Sequence, residues 1–162
     1  MKESLELTDS QKTWMQLETV SDVLQRARDL ELAKIGLNMP QVMVLYCVRT
    51  SPDPLTPMKL ARMMHKQPHT VSALVHRMEA NGLVKTKRDL KRKNWLRVSL
   101  TAKGEEALQR WPTATMVPDA VTSSLSKTEL ASLHVLTKKL HNVGLRLLRQ
   151  MQPDPYAEPL FY

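Results

Sequence analysis

The sequence predicts a mainly α fold with one small β-hairpin, and three observations carry that prediction. Apolar residues recur at three- and four-residue steps along most of the chain, they alternate only near residues 83–100, and Pro or Gly marks the boundaries between these patterns. With 162 residues the chain can bury a sizeable core and falls within the usual range of a single domain, 1–162. Apolar residues make up 42% and aromatics only 4%, so the core must be built from Leu, Met and Val, a composition that favours helix.

The elements follow in order. Trp14, Leu17, Val20, Leu24, Ala27 and Leu30 lie along one face of a first helix spanning about 10–34. Asn38 reads as a cap and Pro40 fits the first turn, so Val42, Val44, Leu45, Cys47 and Val48 belong to a second, nearly buried helix of about 39–49. Pro52 and Pro54 fix the loop after it. Thr56-Pro57 repeats the cap-then-proline signal for a short helix to about His65, and Lys66-Gln67-Pro68 breaks it. A further helix from His69 or Thr70 turns Val71, Leu74, Val75 and Met78 inward and stops at Asn81-Gly82, where glycine can take the left-handed cap conformation.

Leu83–Thr86 then reads as a short strand and Trp95–Leu100 as a second, with a polar, basic hairpin loop from Lys87 to Asn94 between them. Thr101 caps a helix to about Gln109. Pro112 and Pro118 interrupt the pattern, and no element is assigned over 110–122. Ser126 with Glu129 three residues on forms a capping-box signature for a last helix to about Met151, with Leu130, Leu133, Leu136, Leu140, Val143 and Leu147 on it. The tail, 152–162, holds three prolines and no periodicity.

Charge and cysteine content narrow the function. Between Thr56 and Lys103 twelve Lys/Arg stand against two acidic residues, a local charge of +10, whereas the rest of the chain nets −2 out of a total of +8. A field focused in this way attracts a polyanion, nucleic acid before an anionic membrane surface. One cysteine can close no internal disulfide, no apolar stretch has signal-peptide character, and no run of about 18 apolar residues occurs, so a cytoplasmic protein without a membrane segment is expected. There is no Ser/His/Asp spacing and no Gly-rich phosphate loop, so an enzyme is not expected.

Helix, turn, helix, strand, basic loop and strand in that order make a winged helix-turn-helix, and the residues sharpen the likeness. Leu55-Thr56-Pro57-Met58-Lys59-Leu60-Ala61, Thr70-Val71-Ser72, Leu74 to Glu79, Asn81-Gly82-Leu83-Val84 and Leu100-Thr101-Ala102-Lys103-Gly104 together resemble the multiple-antibiotic-resistance regulator (MarR) family, over roughly residues 10–150. The resemblance implies a homodimeric transcription regulator, a repressor of the usual kind, that binds double-stranded DNA at a pseudo-palindromic operator. It implies a DNA-binding module over 38–104 and dimerisation helices over 10–37 and 105–151. Two half-sites about one helical turn apart follow from the two-fold symmetry. A protein-interaction module on the same scaffold, without operator recognition, is the alternative.

The helix from His69 to Ala80 is expected in the major groove, with His69, Thr70, Ser72, Ala73, His76 and Arg77 facing outward and Lys66 and Gln67 on the backbone before it. Lys85, Lys87, Arg88, Lys91, Arg92, Lys93 and Asn94 form the wing, which reaches a phosphate backbone or the adjacent minor groove. Where the family carries Asp-Arg-Arg this sequence reads Arg92-Lys93-Asn94, so the aspartate that would hold the wing arginine is missing. Ala73 also replaces a longer polar side chain common in the family.

The family further implies a possible small-molecule effector in a pocket between the dimer helices and the winged module. Trp14, Met15, Met39, Met43, Trp111 and Met116 are candidates to line it, though methionines at helical spacing equally form core. Cys47, set among Val44, Leu45, Tyr46 and Val48, reads as a packed thiol rather than a redox sensor. His134 and His141 stand two turns apart, and Pro68 separates His65 from His69, so no metal site and no cofactor are expected.

Overall fold

The computed structural model describes residues 6–89 and 95–151, and its architecture is mainly helical with one antiparallel hairpin. The helices are α1 (Asp9–Ala33), α2 (Met39–Thr50), α3 (Pro57–Met63), α4 (Pro68–Ala80), α5 (Ala102–Arg110), α6 (Met116–Ser123) and α7 (Lys127–Met151). The strands are β1 (Val84–Asp89) and β2 (Trp95–Leu100), paired from Val84 opposite Leu100 to Asp89 opposite Trp95.

The caps read from the sequence are present. Asn38 accepts from the Gln41 N–H at 3.0 Å, Thr56 from the Lys59 N–H at 3.1 Å and Thr101 from the Gly104 N–H at 3.0 Å, each satisfying a donor that the first helical turn leaves open. Ser126 and Glu129 form their reciprocal box at the start of α7. Thr8, ahead of the expected start, caps α1 in a box with Gln11.

The core lies under the winged module. Val42, Val44, Leu45 and Cys47 of α2 meet Leu60 and Ala61 of α3, Val71, Leu74, Val75 and Met78 of α4, and Leu83, Val84 and Val98 of the hairpin. Leu55 joins the hairpin through a single bridge to Val98, whose N–H donates to the Leu55 carbonyl at 2.8 Å. Gly104 lets α5 lie against this core: a Cβ there would meet the Leu83 carbonyl oxygen at 2.0 Å, so only glycine fits.

α1 and α7 contrast sharply with this. α1 buries only Glu31 and Leu32, and α7 buries no residue, although both carry apolar stripes. α1 is anchored at its C-terminal end. The buried Glu31 carboxylate pairs with the Arg28 Nη1 at 2.6 Å and accepts the Val117 N–H at 3.3 Å, while Arg28 also donates to the Ala114 carbonyl.

Two expectations change. The segment 110–122, left unassigned from the sequence, contains a 3-10 turn at Trp111–Thr113 and the helix α6. Pro118 falls in the first turn of α6, where a missing N–H breaks no intrahelical bond. β1 also runs longer than expected, so Lys87 and Arg88 are ladder residues opposite Arg97 and Leu96 rather than loop residues. The tail, 152–162, and Lys91, Arg92, Lys93 and Asn94 of the wing lie outside the described residues.

Candidate nucleic-acid interface

α3 ends in a Schellman stop. The Lys66 N–H donates to the Ala61 carbonyl at 2.9 Å and the His65 N–H to the Arg62 carbonyl at 3.1 Å. α4 ends the same way at Gly82, which has φ +70°, but at α3 the left-handed position is held by His65 with φ +50°. A side chain at that position costs about 1 kcal/mol or more relative to glycine. The His65 ring in return meets His141 of α7 edge-on, with centroids 6.1 Å apart. Pro68 then opens α4 as its first residue, with its fixed φ suited to the helix start.

α4 divides cleanly into two faces. Val71, Leu74, Val75 and Met78 are buried, which turns His69, Thr70, Ser72, Ala73, His76 and Arg77 to solvent, and Lys66 and Gln67 before the helix are exposed as well. β1 continues this surface with exposed Lys85, Lys87 and Arg88. Among the described residues Lys66, Arg77, Lys85, Lys87 and Arg88 enter no ion pair, so their charge is available to an external partner.

Helix and hairpin are joined by a contact the sequence did not announce. The Glu79 Oε1 accepts the Thr86 backbone N–H at 2.6 Å and the Thr86 hydroxyl at 2.7 Å. These two hydrogen bonds, with the positive side of His76, hold the Glu79 carboxyl below the usual glutamate range. Thr101 and Lys103 add bonds to the carbonyls of Gly82 and Asn81, closing the far end of α4.

A cavity of about 520 Å³ lies between α1, the start of α2, the end of α3 and α7, walled by Leu24, Met39, Met43, Met63, Met64 and His141. Of the residues named from the sequence for a pocket, Met39 and Met43 line it. Trp14, Met15 and Met116 are exposed on α1 and α6, and Trp111 packs edge-on against Tyr46 at 5.7 Å. Cys47 is buried within the core, and burial pushes its thiol up to about 11. Among the described residues no three His, Cys, Asp or Glu side chains gather closely enough to hold a metal ion, and no helix is long and apolar enough to cross a membrane.

The sequence of this module matches a family model described as MarR family over residues 35–93. That match spans well under half of the chain. Around that match, the chain is similar to the organohalide-sensing transcriptional regulator RdhR in its 2,4-dichlorophenol-bound form, with 28% identity, 91% of this chain and 88% of that chain covered, and a TM-score of 0.81. AbsC, a MarR family transcriptional regulator from Streptomyces coelicolor, shares the fold at 22% identity, with 88% and 99% of the two chains covered and a TM-score of 0.74. A mutant MarR from E. coli complexed with operator DNA shares it at 20% identity, with coverage of 78% and 91% and a TM-score of 0.71. No curated protein matches the sequence significantly. The winged-helix fold of these proteins is thus shared from α1 to α7.

Proposed function

We propose that this chain is a homodimeric, cytoplasmic repressor that binds a pseudo-palindromic DNA operator and releases it when a small molecule binds. The observation that carries the reading is the two-sided α4, whose apolar face is buried while its outer face joins a strand whose Lys85, Lys87 and Arg88 enter no ion pair among the described residues. A helix fits the major groove, so His69, Thr70, Ser72, Ala73, His76 and Arg77 are assigned to base edges and nearby phosphates. Lys66 and Gln67 are assigned to the backbone ahead of the helix. Lys85, Lys87 and Arg88, continuing into Lys91, Arg92, Lys93 and Asn94, are assigned to the wing.

The exposed apolar stripes of α1 and α7 support a second copy as their cover. RdhR is a regulator bound to a chlorinated phenol, and the methionine-walled cavity, open to polarisable aromatic ligands, supports an effector of similar character here.

Electrophoretic shift of the chain's own promoter segment, against random DNA and at two salt concentrations, tests the reading. A specific complex that resists random competitor and weakens steeply with salt is expected. Equal binding to both DNAs, or none, rejects operator recognition.

A further inference from the structure

A second opening, which shares His65 and Lys66 with the methionine-walled cavity, has a different chemistry. Arg62 of α3, His65 and Lys66 of the turn, and Leu145, Leu148 and Arg149 of α7 border a cleft of about 150 Å³. No carboxylate borders it, and among the described residues Lys66 and Arg149 enter no ion pair. We propose that this cleft binds a phosphate group through Arg62, Lys66 and Arg149, bridging the last helix to the segment that precedes the reading helix.

Charge sets the ligand class. Three permanent cations match a phosphate dianion better than a singly charged carboxylate, and the planar arginine fork suits phosphate oxygens. Leu145 and Leu148 shield one side of the cleft, which strengthens the attraction relative to open water. His65 reports the field: burial first, then the neighbouring His141 and the Arg149 charge, depress its basicity, so the cleft already disfavours one more positive charge. An anion would reverse that effect.

A phosphate could come from the DNA backbone or from a free phosphate compound, and two measurements separate these sources. In the first, operator affinity is followed against salt for the wild type, Arg149→Ala and Arg149→Lys. A backbone phosphate predicts that Arg149→Ala lowers the salt slope by about 0.9 and that Arg149→Lys restores it.

In the second, inorganic phosphate is titrated into the DNA-free protein while the His65 imidazole is followed by NMR, with chloride at matched ionic strength as the control. A free ligand predicts that phosphate raises the His65 pKa in the wild type and not in Arg149→Ala. Unchanged slope together with a phosphate response no different from that of chloride overturns the proposal. The phosphate titration needs no operator, so a failure of operator recognition and a failure of this site are told apart.

Discussion

Glu79 in the last turn of α4 and Thr86 in β1 share two short hydrogen bonds, which tie that helix directly to the wing strand. Glu79 is one of only two acids in the +10 stretch. Its carboxylate is placed where it orients the positive strand rather than where it would oppose a polyanion.

The stability contributed by this contact depends on pH with a definite sign. The folded Glu79 carboxyl titrates below its ordinary value of 4.5, so its contribution is complete above that value and is lost as pH falls through the lower folded value. Urea unfolding of the wild type and Glu79→Gln should show a gap at pH 7 that narrows as pH is taken progressively below 4.5. A gap that stays the same size throughout the acid range would contradict the assignment. Thr86→Val, which removes only the hydroxyl bond, should cost about 1 kcal/mol at neutral pH.

Cys47 should be chemically silent in the folded protein. With its thiol pushed up to about 11, only roughly one molecule in ten thousand carries a thiolate at pH 7, and the group is buried besides. Modification by a disulfide reagent should therefore follow the rate of global opening, and Cys47→Ala should bind operator with the same response to peroxide as the wild type. Rapid labelling under native conditions would restore a redox role.

α4 and the wing should respond differently to substitution. Arg77→Ala should weaken operator binding by roughly 1–3 kcal/mol and relax the preference at one base pair if it reads a base. Neutralising Lys91, Arg92 and Lys93 together should leave sequence preference in place and lower the salt slope by up to roughly 2.7. Quantitative footprinting across salt separates the two, and unchanged binding after both would remove this surface from the interface.

Most of the winged module was legible in the sequence because its signals are local. Asn38, Thr56 and Thr101 cap by side chains three residues from their targets, and Val71, Leu74, Val75 and Met78 mark the inner face of α4 by spacing alone. What escaped depends on partners far along the chain. Nothing near Glu31 points to Val117, 86 residues away, so the acid that holds α6 onto α1 was invisible, and with it α6 itself. Pro118 reinforced that miss, since proline position within a helix decides whether it breaks or starts one. Lys87 and Arg88 have the composition of a loop, yet cross-strand pairing with Arg97 and Leu96 extends the ladder through them. His65 was read as the end of a helix, and its left-handed backbone and contact with His141 appear only once α7 is packed beside α3.

α7 offers the sharpest test of the dimer because it contributes nothing to the core of its own subunit. Leu136 and Leu140 lie one turn apart and are 56% and 49% exposed, although a leucine gains about 1.5–3 kcal/mol on full burial. A second copy that covers this stripe recovers that energy at several positions, whereas a charged residue there must be desolvated. Leu136→Asp with Leu140→Asp should therefore halve the mass measured by sedimentation while helix content and the winged module persist. Operator affinity should fall with it, because two linked half-sites bind far more tightly than one. A double variant that keeps the wild-type mass, or a wild type that sediments as a single chain, would leave the α7 stripe without the partner assigned to it.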